Sequence, residues 1–200
     1  MMRPKFIYLH GFGSSPCSST VGFLKRYYPQ YEWVVPELNH HCSETLDALN
    51  ALIQREQPTA VIGTSLGGFY SLYCDSEVMG RWVKKLAINP ALYPSTDLRL
   101  ALGENKYLNP RKDGVTNFRL EEVDLDDFAS VELTPELLKT RVKNVMCIFS
   151  MHDELLNYGE LNKYLFGDKA FAVESIGHRL TEHFVKEELG LLLTRLAIEE

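Results

Sequence analysis

Apolar residues along this chain come in two patterns: short unbroken blocks and longer stripes of period 3.6. The blocks Lys5–Leu9, Glu32–Val35, Thr59–Ile62, Lys85–Ile88, Asn144–Phe149 and Lys169–Glu174 have the length of buried strands. Between them lie helical stripes. One starts at Ser18 or Ser19 with Val21, Leu24 and Tyr28 on one face. A second, with Ser43 as N-cap, runs to about Glu56 and carries Leu46, Leu49, Leu52 and Ile53. Shorter helical segments are predicted from Phe69 to Cys74 and from Asn157, where Glu160 is placed to complete a capping box. Thr181 opens a long C-terminal helix to about Ala197, with Gly190 as its weak point.

The rhythm breaks between Ala91 and about Arg141, where helical and loop character mix and no strong strand pattern appears. A structureless loop of that length is unusual in a compact domain. The stretch is therefore read as a cap-like insertion with short helices of its own, closed by a helix that begins at Thr134-Pro135-Glu136.

Strands alternating with amphipathic helices predict an α/β fold, a mainly parallel sheet of about six strands flanked by helices. The 200 residues fit a single domain, 1–200, that includes the insertion at approximately 91–141. In such sheets ligands gather at the carboxyl ends of the strands. The Gly11-Phe12 turn, Ser65, Asp153 and His178 all fall there.

The stretch Gly63-Thr64-Ser65-Leu66-Gly67-Gly68 directly follows the third block and directly precedes a helix. A strand that turns sharply into a helix around a serine needs glycine on both sides, because side chains there would collide with the backbone. Such a turn lifts the Ser65 hydroxyl above the sheet. A serine hydroxyl becomes a useful nucleophile only when a histidine takes its proton and a carboxylate fixes that histidine's tautomer. Of the six histidines, His178 alone sits in a loop between a strand and the final helix. His10 is placed to brace the first loop, His40 and His41 lie in a surface-type loop, His152 adjoins the acidic position, and His183 falls inside the last helix. For the acid, Asp153 is favoured over its neighbour Glu154, both following the fifth strand. The backbone N–H groups of Phe12 and Leu66 are the candidates for an oxyanion hole.

Composition narrows the remaining classes. The net charge of −6 argues against a nucleic-acid partner. No apolar run reaches membrane-spanning length, and Phe6-Ile7-Tyr8-Leu9 is too short for a signal-peptide core. Cys17, Cys42, Cys74 and Cys147 are scattered without a Cys-x-x-Cys pair, as expected of reduced thiols in a cytoplasmic protein. His40-His41-Cys42 has ligand-type residues, but adjacent side chains rarely converge on one ion, so no metal site is expected there. The Gly-Phe-Gly turn lacks the spacing of a dinucleotide or P-loop fingerprint, and no cofactor is expected.

Five segments together resemble the α/β-hydrolase superfamily, and more closely the small bacterial YqiA/YcfP-like esterase family, over essentially the whole chain. They are Tyr8-Leu9-His10-Gly11-Phe12, Gly63-Thr64-Ser65-Leu66-Gly67-Gly68, Asn89-Pro90-Ala91-Leu92-Tyr93-Pro94, Asp153-Glu154-Leu155-Leu156 and Gly177-His178. The order Ser65…Asp153…His178 is the α/β-hydrolase order. The resemblance implies a compact α/β-hydrolase fold lacking the first two strands of larger relatives, and activity on short-chain esters without a cofactor. The acid loop departs from the pattern: Ser150-Met151-His152-Asp153 has no glycine before the aspartate.

The expected function is that of a serine carboxylesterase acting on a small-molecule ester through an acyl-enzyme. Tyr93, Leu98, Leu102, Tyr107 and Leu108 of the insertion are candidate pocket walls, with Lys106, Arg111 and Lys112 placed to meet an acidic substrate. Those basic residues are the support for a thioesterase alternative. A catalytically idle hydrolase scaffold used for binding is the other, disfavoured because Ser65, Asp153 and His178 are all present.

Overall fold

The structure, a computed structural model, describes residues 3–198. Six strands, β1 (Lys5–Leu9), β2 (Glu32–Val34), β3 (Ala60–Thr64), β4 (Lys84–Ile88), β5 (Val145–Ser150) and β6 (Ala170–Val173), form one sheet. Their order is β6-β5-β4-β3-β1-β2, and every neighbouring pair is parallel. The chain leaves β1 outward to β2 and then returns across β1 to β3, so the strand order reverses between β1 and β3. The loops leaving those two strands diverge there and open a crevice, the usual ligand position in open parallel sheets.

Helices cover both faces, which is why the strands read as unbroken apolar blocks. Alternate residues serve opposite cores. Ile7, Leu9, Val61, Ala87 and Phe149 face one. It is completed from α2 (Cys42–Glu56), α3 (Leu66–Tyr73) and α7 (Gly159–Phe166). Phe6, Tyr8, Ile62, Leu86 and Ile148 face the other. There α1 (Ser19–Tyr27), α8 (Glu182–Glu187) and α9 (Leu189–Ala197) pack. All eight residues of α3 are buried, so the helix after Ser65 is the central element of the first core.

Several local expectations are corrected. His41, not Ser43, occupies the N-cap of α2, because Ser43 instead gives both its N–H and its hydroxyl to Asp127. No capping box forms at α7, which starts two residues after Asn157. The C-terminal helix is two: Thr181 does cap α8 by accepting from Phe184 N–H, but the helix breaks at Glu188. Tyr28 explains the break, since its hydroxyl donates to Val185 O at 2.5 Å and lies 3.1 Å from where a Cβ at Gly190 would be.

Between β4 and β5 come α4 (Pro94–Asp97), a 3-10 turn at Arg99–Ala101, an antiparallel ribbon, α5 (Glu122–Val131) and α6 (Pro135–Arg141). The ribbon, Gly103–Lys106 paired with Asn117–Leu120, is a strand pair that the polarity of Gly-Glu-Asn-Lys conceals. Phe128 of α5 and Leu138 of α6 are fully buried in the same core as β1 and β3. Those two helices belong to the body. The segment from α4 through the ribbon lies beside the strand ends, tied to the loop after β1 by Leu108 N–H to Gly13 O (2.7 Å) and Ser15 Oγ to Pro110 O (2.6 Å).

Candidate active site

Ser65 sits at the turn between β3 and α3 with φ 56° and ψ −122°, a backbone that a residue with a Cβ rarely adopts. Two contacts hold it there: Ser65 N–H donates to Ile88 O at 3.0 Å, and Ala91 N–H donates to Ser65 O at 3.1 Å. The flanking glycines are required by close approach. A Cβ on Gly63 would lie 1.9 Å from Gly67 O, and one on Gly67 would lie 2.1 Å from Leu9 O. The strand, the turn and the helix thus touch backbone to backbone, and Ser65 is forced outward.

His178, in the loop after β6, directs Nε2 to Ser65 Oγ at 2.9 Å. Its Nδ1 lies 2.9 and 3.0 Å from the two carboxylate oxygens of Asp153, in the loop after β5. The histidine and aspartate side chains are 9% and 6% exposed, so this pairing is largely withdrawn from water. Burial pushes the Asp153 carboxyl up, but hydrogen bonds from His178 and from the Leu156 and Leu155 amides outweigh it. They hold the group below its ordinary value. With Asp153 ionised, Nδ1 carries the proton and Nε2 presents a lone pair to the serine hydroxyl.

Glu154, the other acidic candidate, points elsewhere. Its Oε2 accepts the backbone N–H of His178 at 2.8 Å and so fixes the loop rather than the ring. A second brace went unread in the sequence. Asn89, at the end of β4 with φ 44°, donates from Nδ2 to both Gly177 O and His178 O at 3.0 Å. Its Oδ1 accepts Ser150 N–H at 2.7 Å, tying the histidine loop to the strand that leads to Asp153. The only signal was an Asn-Pro pair closing a strand, which marks a turn and carries no information about a partner 89 residues away.

Phe12 and Leu66 come together beside Ser65 as the walls of one narrow cavity of about 10 Å³. Leu66 opens α3, so its N–H has no helical acceptor, and among the described residues neither it nor the Phe12 N–H is hydrogen-bonded. His10 braces this loop: Leu38 N–H donates to its Nε2 at 3.3 Å, so its Nδ1 carries the proton toward Gly11 O at 3.0 Å. The bond from Leu38 needs an unprotonated Nε2, and burial pushes the ring's pKa down accordingly, outweighing the Gly11 carbonyl, which favours the charged form.

Other histidines lie apart from this group. His183 is in α8 and His152 is exposed, while His40 and His41 converge on Asp124. Of the basic residues, Arg111 is corrected as a substrate contact. It is spent on Asp113, on Leu38 O and on Glu37, with its side chain 8% exposed. Tyr107 lines the narrow cavity with Phe118, whereas Leu108 is mostly exposed. Among the described residues no helix is long and apolar enough to cross a membrane. All four cysteines are unpaired thiols.

Residues 5–184 match the family described as "Uncharacterised protein family (UPF0227)". Among solved structures, Est1E from Butyrivibrio proteoclasticus is similar at a TM-score of 0.69 and 15% identity, over 96% of this chain and 88% of that one. Alpha/beta hydrolase domain-containing protein 10 from mouse is similar at 0.68 and 14%, over 98% and 91%. The thioesterase domain from the curacin biosynthetic pathway is similar at 0.60 and 13%, over 98% and 92%. At these identities the likeness is one of fold: the chain has the α/β-hydrolase architecture.

Proposed function

The chain belongs to the UPF0227 family, and we propose that it is a serine hydrolase of the carboxylesterase type, cleaving small or short-chain acyl esters. The observation that carries this reading is the 2.9 Å approach of His178 Nε2 to Ser65 Oγ, with Asp153 on the opposite ring nitrogen. As Ser65 Oγ attacks the ester carbonyl, His178 Nε2 takes its proton and Asp153 stabilises the imidazolium. The carbonyl oxygen, now negative, is held by the Phe12 and Leu66 N–H groups. His178 returns the proton to the leaving alcohol. Water then enters, gives a proton to His178 and attacks the acyl carbon, and His178 passes that proton to Ser65 Oγ as the acid leaves.

The narrow cavity between Phe12, Leu38, Leu66, Tyr107 and Phe118 supports a short acyl group. The mouse protein is named for an alpha/beta hydrolase domain and the curacin-pathway domain as a thioesterase, which supports hydrolysis without specifying the ester. A thioester donor loses one of its three basic residues, because Arg111 is committed to internal partners, while Lys106 and Lys112 remain exposed. The test is labelling by a fluorophosphonate probe together with p-nitrophenyl acetate turnover. Wild type is expected to label and turn over, and Ser65→Ala and His178→Ala to do neither. A wild type that neither labels nor outpaces Ser65→Ala overturns the reading.

A further inference from the structure

Away from Ser65, two imidazoles and a carboxylate converge where the loop before α2 meets the start of α5. His41 Nδ1 lies 2.7 Å from Asp124 Oδ1, and His40 Nε2 lies 3.8 Å from Asp124 Oδ2. One donor atom from each residue falls within 4.8 Å of the other two. Four-coordinate zinc, with bonds of about 2.0–2.1 Å, sets its donors about 3.4 Å apart, so the three atoms need shifts of an ångström or less. Cys42, the third member of the sequence triplet, is fully buried in the core and takes no part. The third ligand comes instead from 83 residues away, which is why the triplet alone gave no sign of it.

Burial favours ligation over a chance surface cluster. Asp124 is 4% exposed, and its Oδ2 accepts the Glu121 N–H at 2.8 Å as part of the α5 capping box. That bond orients the carboxylate and leaves each oxygen a free lone pair. His40 has a side chain 10% exposed, whereas that of His41 is 48% exposed, so one side of the cluster opens to solvent. The opening faces a groove of about 570 Å³ whose rim includes Glu44, Glu121, Asp126 and Asp127, with Arg119 the basic residue among them. Such a rim attracts cations to the opening.

We propose that His40, His41 and Asp124 form a binding site for a divalent transition-metal ion of the zinc type, with the open side completed by water. Two nitrogens and one carboxylate suit such an ion and do not suit magnesium or calcium, which prefer oxygen alone. Binding needs the His41 Nδ1 lone pair, so the proton shared with Asp124 moves to the solvent-facing Nε2 as the ion enters. Protons therefore compete with the metal, and affinity falls as pH is lowered. The ion would pin the loop before α2 to α5. The His40 ring lies 5.0 Å from Phe118, tilted by 31°, and Phe118 packs 5.2 Å from Phe12, so the pinned loop is two ring contacts from the candidate oxyanion residue. The proposal is independent of the hydrolase reading.

The test titrates zinc chloride into the metal-free full-length protein by calorimetry, with cobalt(II) absorption reporting coordination. One equivalent and a four-coordinate cobalt spectrum are expected, along with a zinc-dependent rise in Tm. His41→Ala, half-exposed and safe for folding, should weaken the site by at least about 100-fold and abolish the Tm rise. His40→Ala should do the same, while His178→Ala and Cys17→Ser should keep the site, excluding the triad and the exposed thiol as binders. Absence of binding at about 100 μM zinc, or a loss below about tenfold in His41→Ala, overturns the proposal.

Discussion

Asn89 holds the backbone of His178: one side-chain amide donates to the carbonyls of Gly177 and His178, both at 3.0 Å, from a residue that is 3% exposed. The ring of His178 can meet Ser65 only if its own backbone is fixed, and no regular element fixes it, because the residue lies in a loop between β6 and α8. Asn89 supplies that constraint from β4, two strands away from β6 in the sheet. Replacing it by alanine strands two part-buried carbonyls and the buried Ser150 N–H, the last worth about 1–3 kcal/mol when unpaired. Its φ of 44° also suits asparagine better than alanine. Asn89→Ala is expected to lower the unfolding free energy by about 2–4 kcal/mol in urea titrations. It should also lower kcat on p-nitrophenyl acetate at least about tenfold. Asn89→Asp keeps the acceptor for Ser150 but sets a carboxylate against two carbonyls, and should be no better. If both variants match wild type, the tether has no role.

The two neighbouring acids make opposite predictions. Asp153 faces the imidazole, whereas Glu154 Oε2 receives the His178 backbone N–H at 2.8 Å. Asp153→Asn preserves shape but removes the charge that stabilises imidazolium, and should lower kcat by about 10³–10⁴. Glu154→Gln retains an acceptor for an exposed bond and should change kcat less than about threefold. Steady-state kinetics on both variants decides. The reverse ranking would transfer the acid role to Glu154.

What the sequence made legible follows from how local each signal is. The strand blocks and the Gly-x-Ser-x-Gly turn are short-range patterns, and β1, β3, β4 and β5 appear within about two residues of where the periodicity puts them. Ser65, Asp153 and His178 could be named because each follows a strand in a parallel sheet, whose geometry brings loops to one edge. Asn89, Arg111 and the His40–Asp124 approach act across distances in sequence that no local pattern records. The ribbon was hidden because Gly103–Lys106 carries no apolar alternation and that of its partner strand, Phe118 and Leu120, is only two residues long. The break at Glu188 depends on Tyr28 donating into the turn from a different helix.

Asp97 gives a pH signature with an unusual sign. Tyr158 donates to its Oδ1 at 2.7 Å, while Oδ2 is buried and, among the described residues, unpartnered. Burial raises its pKa, against a smaller lowering by the Tyr158 hydrogen bond. A carboxyl with a raised folded-state pKa contributes stability that is complete below the unfolded value of 3.8 and is lost as pH rises through the folded value. Asp153, held below its ordinary value, does the opposite: its contribution is complete above that value and is lost as pH falls. Asp97→Asn does not titrate. Its stability relative to wild type should therefore improve as pH rises above the unfolded value of 3.8 and level off above the folded value. Urea unfolding at several pH values measures this. A flat difference would mean that Asp97 titrates as it does in the unfolded chain.

Phe118 sets the size of the space beside Phe12 and Leu66, the candidate oxyanion residues. Its ring meets Phe12 edge-on at 5.2 Å and Tyr107 at 4.6 Å, closing the cavity that Phe12 and Leu66 also line to about 10 Å³. That volume is about what one water molecule needs, and the cavity is partly open to solvent, so a longer acyl chain must either displace a wall or run out through the mouth. Phe118 is carried on the ribbon, and the ribbon is fixed to the loop after β1 by the Leu108–Gly13 and Ser15–Pro110 hydrogen bonds. A partly exposed ring on a two-stranded ribbon can be truncated without opening the main core, in which it does not participate. Phe118→Ala should therefore fold and leave acetyl turnover within about threefold of wild type. It should raise kcat/KM for hexanoyl relative to acetyl esters at least about tenfold, the discrimination that one or two accommodated methylenes supply. The direction separates two architectures. If the acyl group lies between Phe12 and Phe118, the preference lengthens. If it lies elsewhere around Ser65, the chain-length profile of Phe118→Ala will superimpose on that of wild type.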